Sequence, residues 1–301
     1  MLDVSSRLPA APTTQAYEWA PGALGVNAPV SQRPFPASDP WNTDISALAV
    51  ESSSAQILSN CGAVALHADF GAPASGEAPG FVYDVVDSTS PLTPMRFLFA
   101  SGSDPGPYPF SASIPISGAN QVAIAVDRES GLLYEARGVF PDDAGGWDAT
   151  AGAVFDLATG TGRPNGMLAA VASGMPIFPG LVRADEALDQ GEIRHALAFS
   201  CPNPQAAHVA PATSDNGSTN LDPTFPPMGM RVRLRASFDF AANGVTSPAA
   251  IAILTALQTY GMFLTDVGPA YYLSGTSDAR WNNEDLAQLG AVQYTDFEVV
   301  P

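Results

Sequence analysis

Hydrophobic and polar residues alternate over short stretches bounded by turn residues at 63–70, 80–87, 95–100, 121–127, 132–137, 151–157, 192–200 and 230–240. A period of two puts successive side chains on opposite faces of a strand, so each stretch predicts a strand. Most of them follow one another too closely for a crossover helix, which predicts antiparallel pairing. The fold class expected is mainly β: a single-domain antiparallel β-sandwich or jelly roll with long loops. Ser130-Gly131 fits a hairpin turn between two of the strands. Helical periodicity is clear only at 248–260, where Ser247 is placed to cap, Pro248 takes the first helical position and Gly261 ends the run. Its residues AAIAILTAL are apolar on nearly every side, which predicts a buried C-terminal helix. Shorter helices are expected at 51–59 and, behind Asn282, at 283–289. Residues 1–34, rich in Pro, Ala and Gly with Tyr17 and Trp19 as bulky anchors, read as an extended N-terminal arm, and 35–301 as one β-rich globular domain.

Composition narrows the chemistry. Charged residues make up 14% of the chain, below the usual ~25%, and 28 Pro and 27 Gly suit short strands joined by many turns. Thirty acidic against 12 basic residues leave a net charge of −18, which repels phosphate backbones and anionic lipid and argues against nucleic-acid binding. All 12 basic residues are Arg, so Schiff-base chemistry and a Walker phosphate loop are excluded. No apolar run approaches the ~20 residues of a membrane span. The start MLDVSSRLPAAPTTQ lacks the basic head and apolar core of a signal peptide. It reads as a secreted, extracellular chain after removal of a leader, with a cytoplasmic protein carrying a loose arm as the other reading. Cys61 and Cys201 are the only cysteines; as a disulfide they would close a loop nearly half the chain long, worth roughly 5 kcal/mol at most, and as free thiols they would be buried. Two Cys and three scattered His predict no metal site, and no cofactor is expected. GxSxG, HExxH and a phosphate-binding glycine loop are absent. The run 214–222 has calcium-loop ingredients without EF-hand spacing and reads as a polar surface loop.

Carboxylates on strands are the most informative groups, because a sheet fixes their separation and glycosidic cleavage depends on it. Glu135 in LLYEARG and Asp156 in GAVFDL form the candidate pair. In one cleft, the carboxyl with the raised pKa would be the acid and the other the nucleophile or base; on the polar side of alternating strands both would face solvent. His195 shares a face with Ile193, Leu197 and Phe199, either as a core histidine or as a base on a cleft floor. His67 and Asp69 stand two apart on one face, and Asp69 with His195 would assist the pair. Asp127 beside Arg128 reads as an ion pair or turn cap, Asp185 and Glu186 as a solvated turn, and His208 as surface. Arg231, Arg233 and Arg235 share one strip of MRVRLRASFDF, paired with Asp and Glu across strands or lining a groove for acidic sugars. Tyr134, Trp147, Tyr271, Tyr272 and Trp281 offer rings for sugar stacking, Trp147 from the loop GGWDAT. Tyr134, Trp147, Arg163 and Arg233 are the candidate substrate-holding set.

Over nearly the whole chain from residue 35, the segments FPASDPWNTDIS, LHADFG, DPGPYPF, VDRESGLLYE, GAVFDL, PIFPGLVRADE, GEIRHAL, PPMGMRVRLRASFD and YGMFLTD resemble a group of bacterial exported proteins of poorly defined function. The resemblance implies export and a single-domain layout, and no mechanism. Related chains often carry an Asp-Arg-His run where this one reads Ala119, Asn120, Gln121; if that histidine is catalytic in relatives, the activity here is lost or changed. The function expected is that of a secreted carbohydrate-active enzyme cleaving a polysaccharide or oligosaccharide in the manner of a glycoside hydrolase. The alternatives are a polysaccharide lyase acting on a uronate polymer and a non-catalytic carbohydrate-binding or cell-surface protein.

Overall fold

The computed structural model describes residues 24–29, 33–74, 78–118, 120–160 and 162–301. Strand outweighs helix, 27% against 18%, so the mainly β expectation holds. One large sheet runs in the order Gly25–Val26, Asp84–Val86, Val122–Asp127, Leu132–Arg137, Ala151–Asp156, with Ile116–Ser117 also on the 122–127 strand. Its centre is the hairpin anticipated from Ser130-Gly131: Asp127 faces Leu132, the Asp127 carboxylate accepts the N–H groups of Glu129 and Ser130, and Gly131 takes φ +71°. Asp127 is therefore a turn cap, and its neighbour Arg128 pairs instead with Asp87.

A second sheet has the order Phe297–Val300, Arg231–Leu234, Met262–Val267, Leu197–Cys201, Tyr272–Leu273, His67–Ala68. Two small sheets join Met95–Phe97, Trp147–Ala149 and Phe140–Pro141, and Gln205–His208 with Pro227–Met228. The expected all-antiparallel pairing is corrected here, because the sheets are mixed: 84–86 runs parallel to 122–127, and 197–201 parallel to 262–267. Parallel neighbours need a long return path, which the second pair obtains from an excursion that includes a helix. Extended stretches are also shorter than alternation suggested. In 63–70 only His67–Ala68 forms a ladder, because Ala65 and Leu66 bond instead to Gln293 and Val292. In 192–200 pairing starts at Leu197, because the Ala196 N–H goes to the Trp41 carbonyl.

Among the described residues three α-helices complete the scaffold: α1 (Ser54–Cys61), α2 (Pro248–Thr259) and α3 (Asn283–Ala287). Ser247 caps α2 by accepting the Ala250 N–H, and Ala250, Ile253, Leu254 and Leu257 are completely buried. No helix among the described residues is long and apolar enough to cross a membrane. Both faces of the first sheet are covered. Ile124, Leu133, Ala153 and Phe155 join the main core shared with the second sheet, while Ala123, Tyr134, Ala136 and Val154 pack with Tyr108, Phe110 and Trp147 in a smaller one. Of the arm expected at 1–34, residues 1–23 and 30–32 lie outside the described residues; Gly25–Val26 forms the edge strand beside Asp84–Val86.

Candidate functional site

Register decides the fate of the carboxylate pair. Glu135 faces Ala153, and Asp156 faces Leu132, without a bulge between them. Directly opposed residues share a face, and faces alternate along a strand. Positions 135 and 132 differ by an odd number, so Glu135 and Asp156 project from opposite sides of the sheet. Glu135 is completely buried in the main core, where its carboxylate accepts the Ile177 N–H at 2.9 Å and the Phe178 N–H at 2.8 Å. Burial pushes its carboxyl up to about 7 despite those donors and the nearby Arg163 charge. Asp156 accepts the Ala158 and Thr159 N–H groups and so shapes the turn after its strand.

The remaining candidates are held just as firmly. Tyr134 packs edge-on against Tyr108, and Trp147 lies in a strand with its indole N–H on the Phe110 carbonyl, so neither ring is free to stack on a sugar. Arg163 pairs with Asp104 at 2.8 Å, donates to the Leu168 carbonyl and lies over the Phe155 ring. It is the one predicted group close enough to Glu135 to act on its charge. Arg233 grips Glu298 at 3.0 Å and the carbonyls of Ile45 and Ser46. Arg231 donates to the carbonyls of Tyr260 and Thr43, so this strip pins down residues 43–46. Asp69 is exposed, and its neighbour His67 stacks on Tyr272 at 4.2 Å. The four proposed catalytic residues do not meet in one cleft.

His195 is completely buried, and its partner is a residue read above as a solvated turn. Its Nε2 lies 3.0 Å from Glu186 Oε2, and its Nδ1 donates to the Ala196 carbonyl at 2.8 Å. Asp185 and Glu186 open the π-helical turn Asp185–Gln190 and are 3% and 5% exposed, which corrects the surface assignment. Arg183, completely buried, puts Nη2 2.6 Å from Glu186 Oε1, Nε 3.7 Å from Asp185 Oδ1, and its guanidinium 4.8 Å from the Phe178 ring centre. Burial would raise the Glu186 carboxyl, but Arg183 and His195 together hold it below its ordinary range. Through Phe178, whose N–H serves Glu135, this cluster adjoins the buried carboxylate of the first sheet. Charged letters in sequence read as solvent-facing; only the i, i+3 spacing of Arg183 and Glu186 hinted that they pair.

An accessible concavity lies elsewhere. A cleft of about 370 Å³ opens beside the edge of the second sheet, walled by Ile57, Val209, Pro211, Met230, Phe263 and Val299. Arg231 and Glu51 also line it. Arg231 is only 7% exposed and lies over the Phe263 ring at 4.7 Å. Its Nε and Nη2 are hydrogen-bonded, whereas Nη1 has no hydrogen bond among the described residues. Burial pushes this guanidinium down to about 10, with Asp39 and Asp44 opposing the fall. Such a volume, mostly apolar with one placed donor, has the character of a small-molecule pocket. Among the described residues no group of three His, Cys, Asp or Glu side chains is arranged to hold a metal ion. No family model, no curated protein and no solved structure matches this chain.

Proposed function

We propose that this is a non-catalytic binding protein, a single sandwich-like unit exported from the cell, and that the cleft beside Arg231 holds its ligand. The observation that carries the proposal is the buried Arg231 guanidinium with one nitrogen left to donate, in a cleft whose walls are otherwise mainly apolar. A ligand oxygen accepting from that nitrogen would replace water with a charge-assisted hydrogen bond. Glu51 in the wall and Asp39 and Asp44 near the guanidinium disfavour an anion, so the ligand is a small, largely apolar molecule with a carbonyl or hydroxyl oxygen. The non-catalytic reading draws support from Glu135 and Asp156, which stand on opposite faces of one sheet and are occupied by backbone N–H groups. Rings that would have stacked on sugar are packed in the smaller core, which favours an apolar ligand over a carbohydrate.

Thermal melting with increasing 1-octanol or 2-octanone, against sodium octanoate, tests the proposal. Saturable stabilisation by the neutral compounds, weaker for the carboxylate and lost in Val209→Trp, is the expected result. Val209 is 46% exposed at the cleft wall, so the substitution fills the cleft without disturbing the core. An absence of any saturable shift would remove the ligand site. New reducing ends from a polysaccharide panel would restore the hydrolase.

A further inference from the structure

Cys61 and Cys201, distant in sequence, are neighbours in space. Cys61 ends α1, Cys201 ends the Leu197–Cys201 strand of the second sheet, and both are buried free thiols. The Cys201 thiol donates to the Cys61 carbonyl oxygen at 3.7 Å, and the two sulfurs are close enough to shift one another's titration. Tyr271 fixes the geometry around them. Its hydroxyl donates to the Leu58 carbonyl at 2.7 Å and reaches Cys61, while its ring stacks between Phe199 and Phe297. The neighbouring Cys201 thiol, together with burial, raises the Cys61 thiol, and the Cys61 side chain lowers that of Cys201.

We propose that Cys61 and Cys201 are a cross-linking site, joined as an intramolecular disulfide when the chain folds in the presence of a disulfide oxidant. One of the two cysteines, as its thiolate, attacks one sulfur of the oxidant, forming a mixed disulfide and expelling one thiolate. The other then gives up its proton and attacks the sulfur of the first, and the second thiolate leaves. Two protein thiols are oxidised, one oxidant disulfide is reduced to two thiols, and those thiols take up the two protons. With both sulfurs at 0–1% exposure, the oxidant reaches them before the core closes or through local opening. The finished bond is shielded from reductants in the same way, and it ties α1 to the second sheet.

The test is refolding of the reduced full chain in a glutathione redox buffer, followed by denaturation and alkylation. The expected product is monomeric and two hydrogens lighter, with neither cysteine alkylated and one proteolytic fragment pair joining Cys61 to Cys201. Its melting temperature is expected to exceed that of the reduced protein, a difference absent in Cys201→Ala. Full alkylation of both cysteines, or a covalent dimer as the main oxidised product, would overturn the proposal. If refolding fails, the reduced native protein in sub-denaturing urea is treated with dibromobimane, which fluoresces on bridging two nearby thiols. Fluorescence lost in Cys201→Ala supports the pairing, and its absence from the wild type rejects it.

Discussion

Glu186 stands between Arg183 Nη2 at 2.6 Å and His195 Nε2 at 3.0 Å, with too little exposure for water to dilute either interaction much. Removing one partner of a buried ion pair strands the other, at a cost of about 3–5 kcal/mol. Glu186→Ala is therefore expected to lower the urea midpoint severely, softened by Asp185 3.7 Å from Arg183. His195→Ala, which leaves the Arg183 pair intact, is expected to cost less. Equal losses in the two variants would place the energy in His195 packing instead. Glu135 gives a prediction in pH. Its carboxyl titrates near 4.5 when exposed and at about 7 in the fold, so its stabilising contribution is complete below pH 4.5 and is lost as pH rises through 7. The integrated effect is about 3 kcal/mol. Glu135→Gln, neutral at every pH, is expected to flatten the fall of unfolding free energy between pH 5 and 8; parallel profiles for variant and wild type would refute this.

At the scale of elements, Gly261 does more than end α2. It sits at φ +68°, and a Cβ there would collide with the Val232 carbonyl oxygen, just before the Met262–Val267 strand begins. Gly261→Ala is expected to cost more than about 1 kcal/mol through strain alone, read as a lower melting temperature with unchanged far-ultraviolet dichroism below the transition. The helix itself was legible because Ser247, Pro248 and Gly261 punctuate an apolar run. The hairpin around Ser130-Gly131 was legible because its pairing is local. Alternation misled at 63–70 and 192–196, where the backbone is tied to Gln293, Val292 and Trp41. A strand's partner lies outside the window in which its pattern is read.

Over the whole molecule, the mainly β character could be read from the chain, and the sites could not. Register, a property of two strands together, separated Glu135 from Asp156. Tertiary pairing turned Arg183, Glu186 and His195 inward, and the Arg231 cleft exists only where distant segments meet. The second sheet carries a consequence for synthesis. Phe297–Val300 is its edge strand and pairs with Arg231–Leu234, which in turn pairs with Met262–Val267. The sheet's strands come from residues 67 to 300, so a chain emerging from the ribosome cannot complete it until more than 230 residues after its first strand have been made. Until then the apolar edges of the growing sheet lack their neighbours, and folding dominated by such distant pairings is slow. Under the proposed export, that delay would keep the chain threadable across a membrane.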